Sequence, residues 1–173
     1  MSEMLYFEQL ALGQSWRSPA RTVTETDVVN FAGMTGDFNP LHVDHEFAGN
    51  GPFGRPIAHG LLGLSWVAGL GSHAPRPMTL AFLGISDWKF LKPVFVGDTL
   101  HVLTDVASLT SQGRRAGAVK WRRRLVNQAG EIVQEGIFET LVARQAVEQR
   151  PARMAEPLSS QPIEAETAEV AVN

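Results

Sequence analysis

The stretch IAHGLLGLSWVAGL, residues 57 to 70, decides the fold, because its last ten residues carry no charge. It is too short to cross a membrane, since a spanning helix needs about 20 apolar residues. After Gly60 the segment contains leucine, alanine and tryptophan, and Val67 is its only β-branched residue. This composition favours a helix over a strand despite the glycines, each of which weakens a helix. A helix that is apolar on every side is predicted to be buried on every side.

The second half of the chain is predicted to surround this helix with a β-sheet. Stretches of strand-like composition alternate there with short links that contain the Gly, Asn, Asp or Pro residues typical of turns. The predicted strands are residues 80 to 92, 99 to 110, 115 to 127 and 131 to 143. Long strands joined by short links form an antiparallel meander. The sequence therefore predicts an α+β fold, in which an antiparallel sheet wraps around one long central apolar helix.

Length and composition limit the number of domains. With 173 residues, 44% of them hydrophobic and 19% charged, the chain is long enough for one sizeable core. We place this single domain at residues 1 to 146. Residues 147 to 173 are rich in Pro, Glu, Ala and Ser and lack aromatic side chains, a composition that cannot offset the entropy lost on ordering. They are predicted to form a flexible tail, and an arm that packs on a partner subunit is the alternative.

Charge and cysteine content exclude several classes of function. The net charge of -3 gives no overall attraction to nucleic acid or to an anionic membrane surface, so neither is an expected partner. The absence of cysteine excludes disulfides, thiolate metal sites and a cysteine nucleophile. The amino-terminal sequence MSEMLYFEQL has neither the basic nor the apolar region of a signal peptide, so we expect a cytoplasmic protein.

The segment GDFNPLH, residues 36 to 42, is predicted to be a rigid elbow that carries an acid–base pair. Gly36 frees the backbone for positive φ, and the proline forces Asn39 towards extended geometry. Asp37 and His42 then lie on opposite sides of the elbow, where a carboxylate and an imidazole can act on one water molecule. Asn39 can hold such a water or brace the loop. The plainer interpretation is that all three side chains only cap turns and bind backbone groups.

A second segment, FGRPIAHG at residues 53 to 60, places His59 and Gly60 at the start of the apolar helix. The first turn of a helix has backbone N–H groups without intrahelical acceptors, and its dipole favours negative charge. Because Gly60 lacks a Cβ atom, a thioester carbonyl can approach its N–H and be polarised there. The plainer interpretation is close packing for Gly60 and a satisfied ring at the helix start for His59.

These two segments, in this order and at close spacing, resemble the signature of MaoC-like dehydratases, the family of (R)-specific enoyl-CoA hydratases. FLKPVFVGDTL at residues 90 to 100 resembles the strand-turn-strand segment of the family. The resemblance extends over residues 8 to 143. It implies the hot-dog fold and a homodimer with active sites near the subunit interface. It also implies an acyl-CoA substrate and neither a metal nor another cofactor.

The resemblance assigns roles residue by residue. Asp37 and His42 match the catalytic dyad, which holds the water that is added across the C2–C3 double bond. Gly60 matches the amide that binds the thioester oxygen, and the neighbouring His59 belongs to the same substrate-binding segment. Asn39 matches the polar residue that braces the loop. The remaining candidate contacts to the substrate or to coenzyme A are Phe53, Arg55 and Ser65. Some relatives carry a serine where this chain has Ala68, and Ser65 lies one helical turn earlier.

Three other functions compete with this interpretation. The pair His42 and Asp44 with His101 has the composition of a non-haem iron triad, but the chain has too few strands for the jelly roll that such sites use. An acyl-CoA thioesterase shares the fold and uses a carboxylate without a metal. A non-catalytic acyl-CoA-binding subunit is the third alternative, which the intact dyad disfavours.

Overall fold

The computed structural model describes residues 4–145. The predicted tail at residues 147 to 173 lies outside the described residues. A 3-10 helix at Phe7–Gln9 precedes the helices α1 (Glu25–Thr35), α2 (Pro40–Val43), α3 (His45–Gly49) and α4 (Gly60–Gly71). The strands are β1 (Ser15–Arg17), β2 (Arg21–Thr22), β3 (Thr79–Phe90), β4 (Thr99–Gln112), β5 (Ala116–Val126) and β6 (Ile132–Ala143). In this part of the chain no helix is both long and apolar enough to cross a membrane.

The predicted antiparallel sheet is confirmed, but its strand order differs from a simple meander. The order is β1-β4-β5-β6-β3, with β2 also paired to β4, so β3 lies at an edge beside β6 and not beside β4. The link between β3 and β4 is therefore not a hairpin. Its Val94 carbonyl accepts a hydrogen bond from Ala58 N at 2.8 Å, and Phe95 forms a β-bridge with Ile57. The link crosses the sheet because β5 and β6 lie between β3 and β4, and on its way it pairs with the segment that leads into α4.

Helix α4 packs on the sheet mainly against β4 and β5, and the α+β hot-dog architecture is confirmed. The prediction that the helix is buried on every side is wrong for the single chain. One sheet can cover only one side of a helix, so the opposite side of α4 stays exposed and includes Leu61, which is 59% exposed. The buried residues of the helix are Leu62, Gly63, Trp66, Val67 and Gly71.

Helix α1 leads the chain into the predicted elbow and has the expected caps. The Thr24 side chain accepts a hydrogen bond from Asp27 N, and Thr24 N donates to the Asp27 carboxylate at 2.9 Å. At the other end Gly36 adopts the left-handed conformation with φ 78°, which a residue with a side chain adopts only at a cost. These caps fix where the helix ends and where the loop after it begins.

Replacing Asp27 with alanine is expected to lower the free energy of unfolding by about 1 kcal/mol at pH 7, because the two hydrogen bonds from Thr24 to the carboxylate are lost. Burial raises the pKa of Asp27, but hydrogen bonds from Thr24 and the charge of Arg21 outweigh it and lower the pKa below 3.8. The ionised carboxylate therefore stabilises the fold above that value, and its contribution disappears as the pH falls through the lower folded-state pKa. Urea unfolding of both proteins at several pH values should show their difference shrink in acid. A constant difference would contradict this account, and Thr24→Ser serves as the conservative control.

Candidate active site

The elbow after Gly36 brings the side chains of Asp37 and His42 close together. Asn39 has φ -56° and ψ 131°, and its side-chain oxygen accepts a hydrogen bond from Leu41 N at 3.0 Å. The Asp37 carboxylate accepts a weaker bond from Asn39 N at 3.3 Å. With proline as its first residue, α2 starts immediately after Asn39 and carries His42 back towards Asp37. Asn39 therefore braces the loop through the backbone.

A backbone carbonyl determines the tautomer of His42. Nδ1 of His42 lies 2.7 Å from the carbonyl oxygen of Ile57. Because a carbonyl oxygen only accepts hydrogen bonds, Nδ1 carries the proton in this contact. In the neutral ring the lone pair is then on Nε2, which is the atom that can accept a proton. The segment just before α4 thus prepares His42 as an acceptor.

His59 lies behind the dyad. Its ring stacks on that of His42, with centroids 3.8 Å apart and an interplanar angle of 30°. Nε2 of His59 donates to the backbone carbonyl of Asp37 at 2.9 Å and lies 3.9 Å from the Asp37 carboxylate. The residue is only 3% exposed, whereas the side chain of Asp37 is 54% exposed. His59 therefore joins the acidic loop, residues 36 to 39, to the start of α4. Of His59 and Asp37, only Asp37 is accessible to a ligand.

The side chains of Asp37, His42 and His59 could each offer one ligand atom within 4.8 Å of the others, as in a metal site. The geometry does not favour an ion, because stacked imidazole rings do not direct their lone pairs at one point. In addition, His42 Nδ1 and His59 Nε2 already contact backbone carbonyls. The same arrangement suits a water molecule held between the carboxylate of Asp37 and Nε2 of His42.

A cavity of about 350 Å³ opens beside the dyad at the start of α4. Gly60, the first residue of the helix, lines it, and the N–H of a first-turn residue has no acceptor within its own helix. A Cβ atom at Gly60 would lie 2.9 Å from the ring of Phe90, so a side chain there would push this ring out of its place in the cavity wall. The lining residues are His42, Phe53, Ile57, Ala58, Gly60, Phe90, Leu91, Lys92, Pro93, Val94 and Gln134.

Gln134 is a residue of the cavity that the sequence analysis missed. Its side-chain amide donates to the Gly60 carbonyl at 3.0 Å, while its Oε1 atom is buried without a partner among the described residues. The amide occupies space left by Gly63, where a Cβ atom would lie 2.2 Å from it. Inward-facing and outward-facing residues alternate along β6, and Gln134 occupies an inward-facing position. The period of two in the strand could therefore have identified Gln134 as a buried residue.

The other candidates from the sequence lie around this centre. Phe53 lines the cavity of the dyad. Arg55 is exposed, and its guanidinium lies 3.9 Å from the centre of the Phe95 ring. It lines a smaller cavity of about 240 Å³, which His42 also lines. Ser65 is exposed, and its hydroxyl donates to the Leu62 carbonyl at 2.7 Å. It is not among the lining residues of the first cavity.

The comparison with protein families agrees with this site. The model of the MaoC like domain matches residues 8–127, which include both segments of the site. The chain belongs to this family of MaoC-like dehydratases. It is 35% identical over 138 residues to an (R)-specific enoyl-CoA hydratase of Rhodospirillum rubrum, an alignment that covers 79% of this chain and 91% of that protein. The crystal structure of a MaoC-like dehydratase from Rhodospirillum rubrum superposes with a TM-score of 0.74 and 29% identity, covering 83% of this chain and 99% of the other.

Another MaoC-like relative is considerably longer than this chain. Protein MaoC of Klebsiella aerogenes is 36% identical over 115 residues, which are 66% of this chain but only 34% of that protein.

Gly63→Ala is expected to destabilise the MaoC-like domain by about 1–3 kcal/mol, because the added methyl overlaps the amide of Gln134 and forces it off the Gly60 carbonyl. Gly69→Ala is the matched control on the same helix, where nothing lies within 4 Å of the added methyl. The control should be neutral or stabilising by up to about 1 kcal/mol, since alanine favours helix. Urea unfolding measures both variants, and equal stability of the two would show that Gln134 does not depend on the gap at Gly63.

Proposed function

We propose that the chain adds water reversibly across the C2–C3 double bond of a trans-2-enoyl-CoA, which gives an (R)-3-hydroxyacyl-CoA. The observation that carries this proposal is the position of His42: a ring nitrogen lies within 4.8 Å of a carboxylate oxygen of Asp37, and the residue lines the same cavity as Gly60. Two relatives support it by name: the hydratase of Rhodospirillum rubrum and a 3-hydroxybutyryl-CoA dehydratase of Methylorubrum extorquens, which is 38% identical over 114 residues.

In the proposed reaction the dyad holds one water molecule against C3 of the substrate. The Asp37 carboxylate and His42 Nε2 both accept hydrogen bonds, so they orient the water oxygen towards C3. As the oxygen bonds to C3, the π electrons of the double bond move to C2 and the carbonyl, and the dyad takes one proton from the water. The dyad then returns that proton to C2. The product gains one water molecule, and both residues recover their starting state.

The start of α4 is the proposed site for the thioester carbonyl. Negative charge develops on this oxygen while the C3–O bond forms, and the N–H of Gly60 together with the helix dipole stabilises it. Loss of such a donor typically slows a reaction by about 10²–10³-fold. The amide of Gln134 on the Gly60 carbonyl holds the first turn in position. We propose coenzyme A as the carrier of the acyl group, with no further cofactor.

We also propose that the functional unit is a homodimer or a higher homo-oligomer. Among the described strands β3 pairs only with β6, so its other edge carries unpaired backbone groups. Large apolar side chains are exposed along this strand: Leu80, Phe82, Leu83, Ile85 and Phe90. A second copy that covers this edge would bury the apolar surface, and exposed patches of this kind mark interaction sites.

The first test of the reaction is the loss of enoyl-thioester absorbance when the purified protein meets a series of trans-2-enoyl-CoAs. Asp37→Asn keeps the shape of the side chain but cannot accept the proton, so kcat should fall by about 10²–10⁴-fold. Glu46→Gln removes an exposed carboxylate from the neighbouring helix and should leave turnover unchanged. Full activity of Asp37→Asn would contradict the role of the carboxylate. Release of free thiol from saturated acyl-CoAs, without hydration, would instead establish a thioesterase.

The proposed dimer is tested by placing a charge on the apolar edge. Leu83→Glu is expected to convert the dimer to a monomer, because a carboxylate in an apolar interface must be desolvated without a partner. Leu12→Glu is the matched control, since Leu12 is an exposed leucine that precedes β1 at the opposite edge of the sheet. Sedimentation equilibrium gives the mass of each protein. A monomeric wild-type protein would refute the proposal.

A further inference from the structure

Arg123 is a buried cation outside the catalytic cavity. Its neighbour Arg122 points outward from β5, whereas Arg123 faces α4 and is only 6% exposed. None of the ion pairs between described residues includes Arg123. Burial lowers the pKa of Arg123 to about 10, so the guanidinium remains charged at neutral pH. A buried charge without a counter-ion is costly and calls for a specific reason.

The fold makes room for this guanidinium. A Cβ atom at Gly71 would lie 2.8 Å from Cζ of Arg123, so a side chain there would displace the group. Arg123 donates to the carbonyls of Val67 at 3.2 Å and Gly71 at 3.4 Å, and it lies over the Phe138 ring at 4.7 Å. Nε has no partner among the described residues. The carbonyls at the end of α4 stabilise the cation in part, but they supply no full negative charge.

A cavity of about 430 Å³ lies against Arg123 and is otherwise largely apolar. Its apolar walls include Ala68, Phe82 and Phe138. Thr140 also lines it, and because its hydroxyl oxygen accepts a hydrogen bond from Trp121 at 2.9 Å, its own hydrogen remains available to a ligand. Ser72 and Thr79 add two further hydroxyl groups to its lining. A largely apolar cavity with one cation and a few hydroxyl groups fits an apolar chain that ends in a carboxylate.

This cavity and the catalytic cavity lie along the same helix. Gly60 lines the first and Ala68 the second, and eight residues of helix span about 12 Å. Strand β6 also contributes to both cavities, through Gln134 and Phe138. An acyl chain whose thioester lies at the start of α4 would reach the second cavity by running along the helix.

We propose that the second cavity binds the far end of the acyl group and that Arg123 pairs there with a carboxylate. The preferred substrate is then an enoyl thioester whose acyl chain ends in a carboxylate instead of a methyl group. This inference rests on the hydratase function proposed above and names the class of its substrate.

The test compares pairs of trans-2-enoyl-CoAs of equal chain length that end either in a methyl group or in a carboxylate. At the chain length that reaches Arg123, the wild-type protein should favour the carboxylate in kcat/KM by about tenfold to a hundredfold, the usual effect of a hydrogen-bonded charge pair. Arg123→Met should abolish this preference, and Arg123→Lys should keep part of it. Arg122→Met, the exposed neighbour on the same strand, should retain the wild-type preference.

The outcomes separate this inference from the reaction itself. Equal turnover of both members of every pair by the wild-type protein overturns the inference and leaves the hydratase function intact, and it requires no variant to fold. Hydration of neither member overturns both proposals.

A second experiment uses adipate, a free dicarboxylate, to test whether the carboxylate at Arg123 belongs to the acyl chain or to a separate anion. If adipate raises the Tm of the wild type but not of Arg123→Met, while both members of each pair react equally, the cavity binds a separate anion and the proposed substrate class is wrong.

Discussion

The hydrogen bond from His59 Nε2 to the Asp37 carbonyl is the contact on which the site depends, because it joins the acidic loop to the start of the central helix. The ring of His59 also stacks on that of His42, and Nδ1 of His42 donates to the Ile57 carbonyl. A shift of α4 along the sheet would therefore move the carboxylate, the imidazole and the Gly60 N–H together. The burial of His59 keeps this contact away from water, which would otherwise compete for the carbonyl.

The glycines of α4 weaken the helix but leave room for side chains that pack against it. Three of them leave room for a specific side chain: Gly60 for Phe90, Gly63 for Gln134 and Gly71 for Arg123. Each glycine costs about 1 kcal/mol of helix propensity relative to alanine. The helix persists because its buried face packs on the sheet, and tertiary packing supplies most of the stability of helices in proteins. The side chains that enter these gaps line the two cavities, so the glycine spacing in α4 determines the shape of the cavity walls.

The sequence predicts the strands, the caps of α1 and the dyad because each depends on local chemistry. Capping by Thr24, the left-handed Gly36 and the elbow at Asn39 follow from neighbouring residues alone. The place of β3 beside β6 does not, since a strand of similar composition could pair on either edge. Gln134 and Arg123 were missed for a related reason. Their strand period indicates that they face inward, but only the helix packed opposite shows which glycine admits each of them.

The two ends of α4 favour ligand groups of opposite charge. The N–H groups at the start of a helix favour negative charge, as on a thioester oxygen during water addition, whereas the carbonyls at its end disfavour an anion. An acyl chain ending in a carboxylate would therefore be repelled from the second cavity if only backbone groups met it. Arg123 bonds to those carbonyls and reverses the sign of the local charge. For an uncharged acyl chain this would be unfavourable, because a buried guanidinium costs several kcal/mol to desolvate and an apolar side chain would fill the space better. The carboxylate proposed above would supply the counter-charge that Arg123 lacks among the described residues.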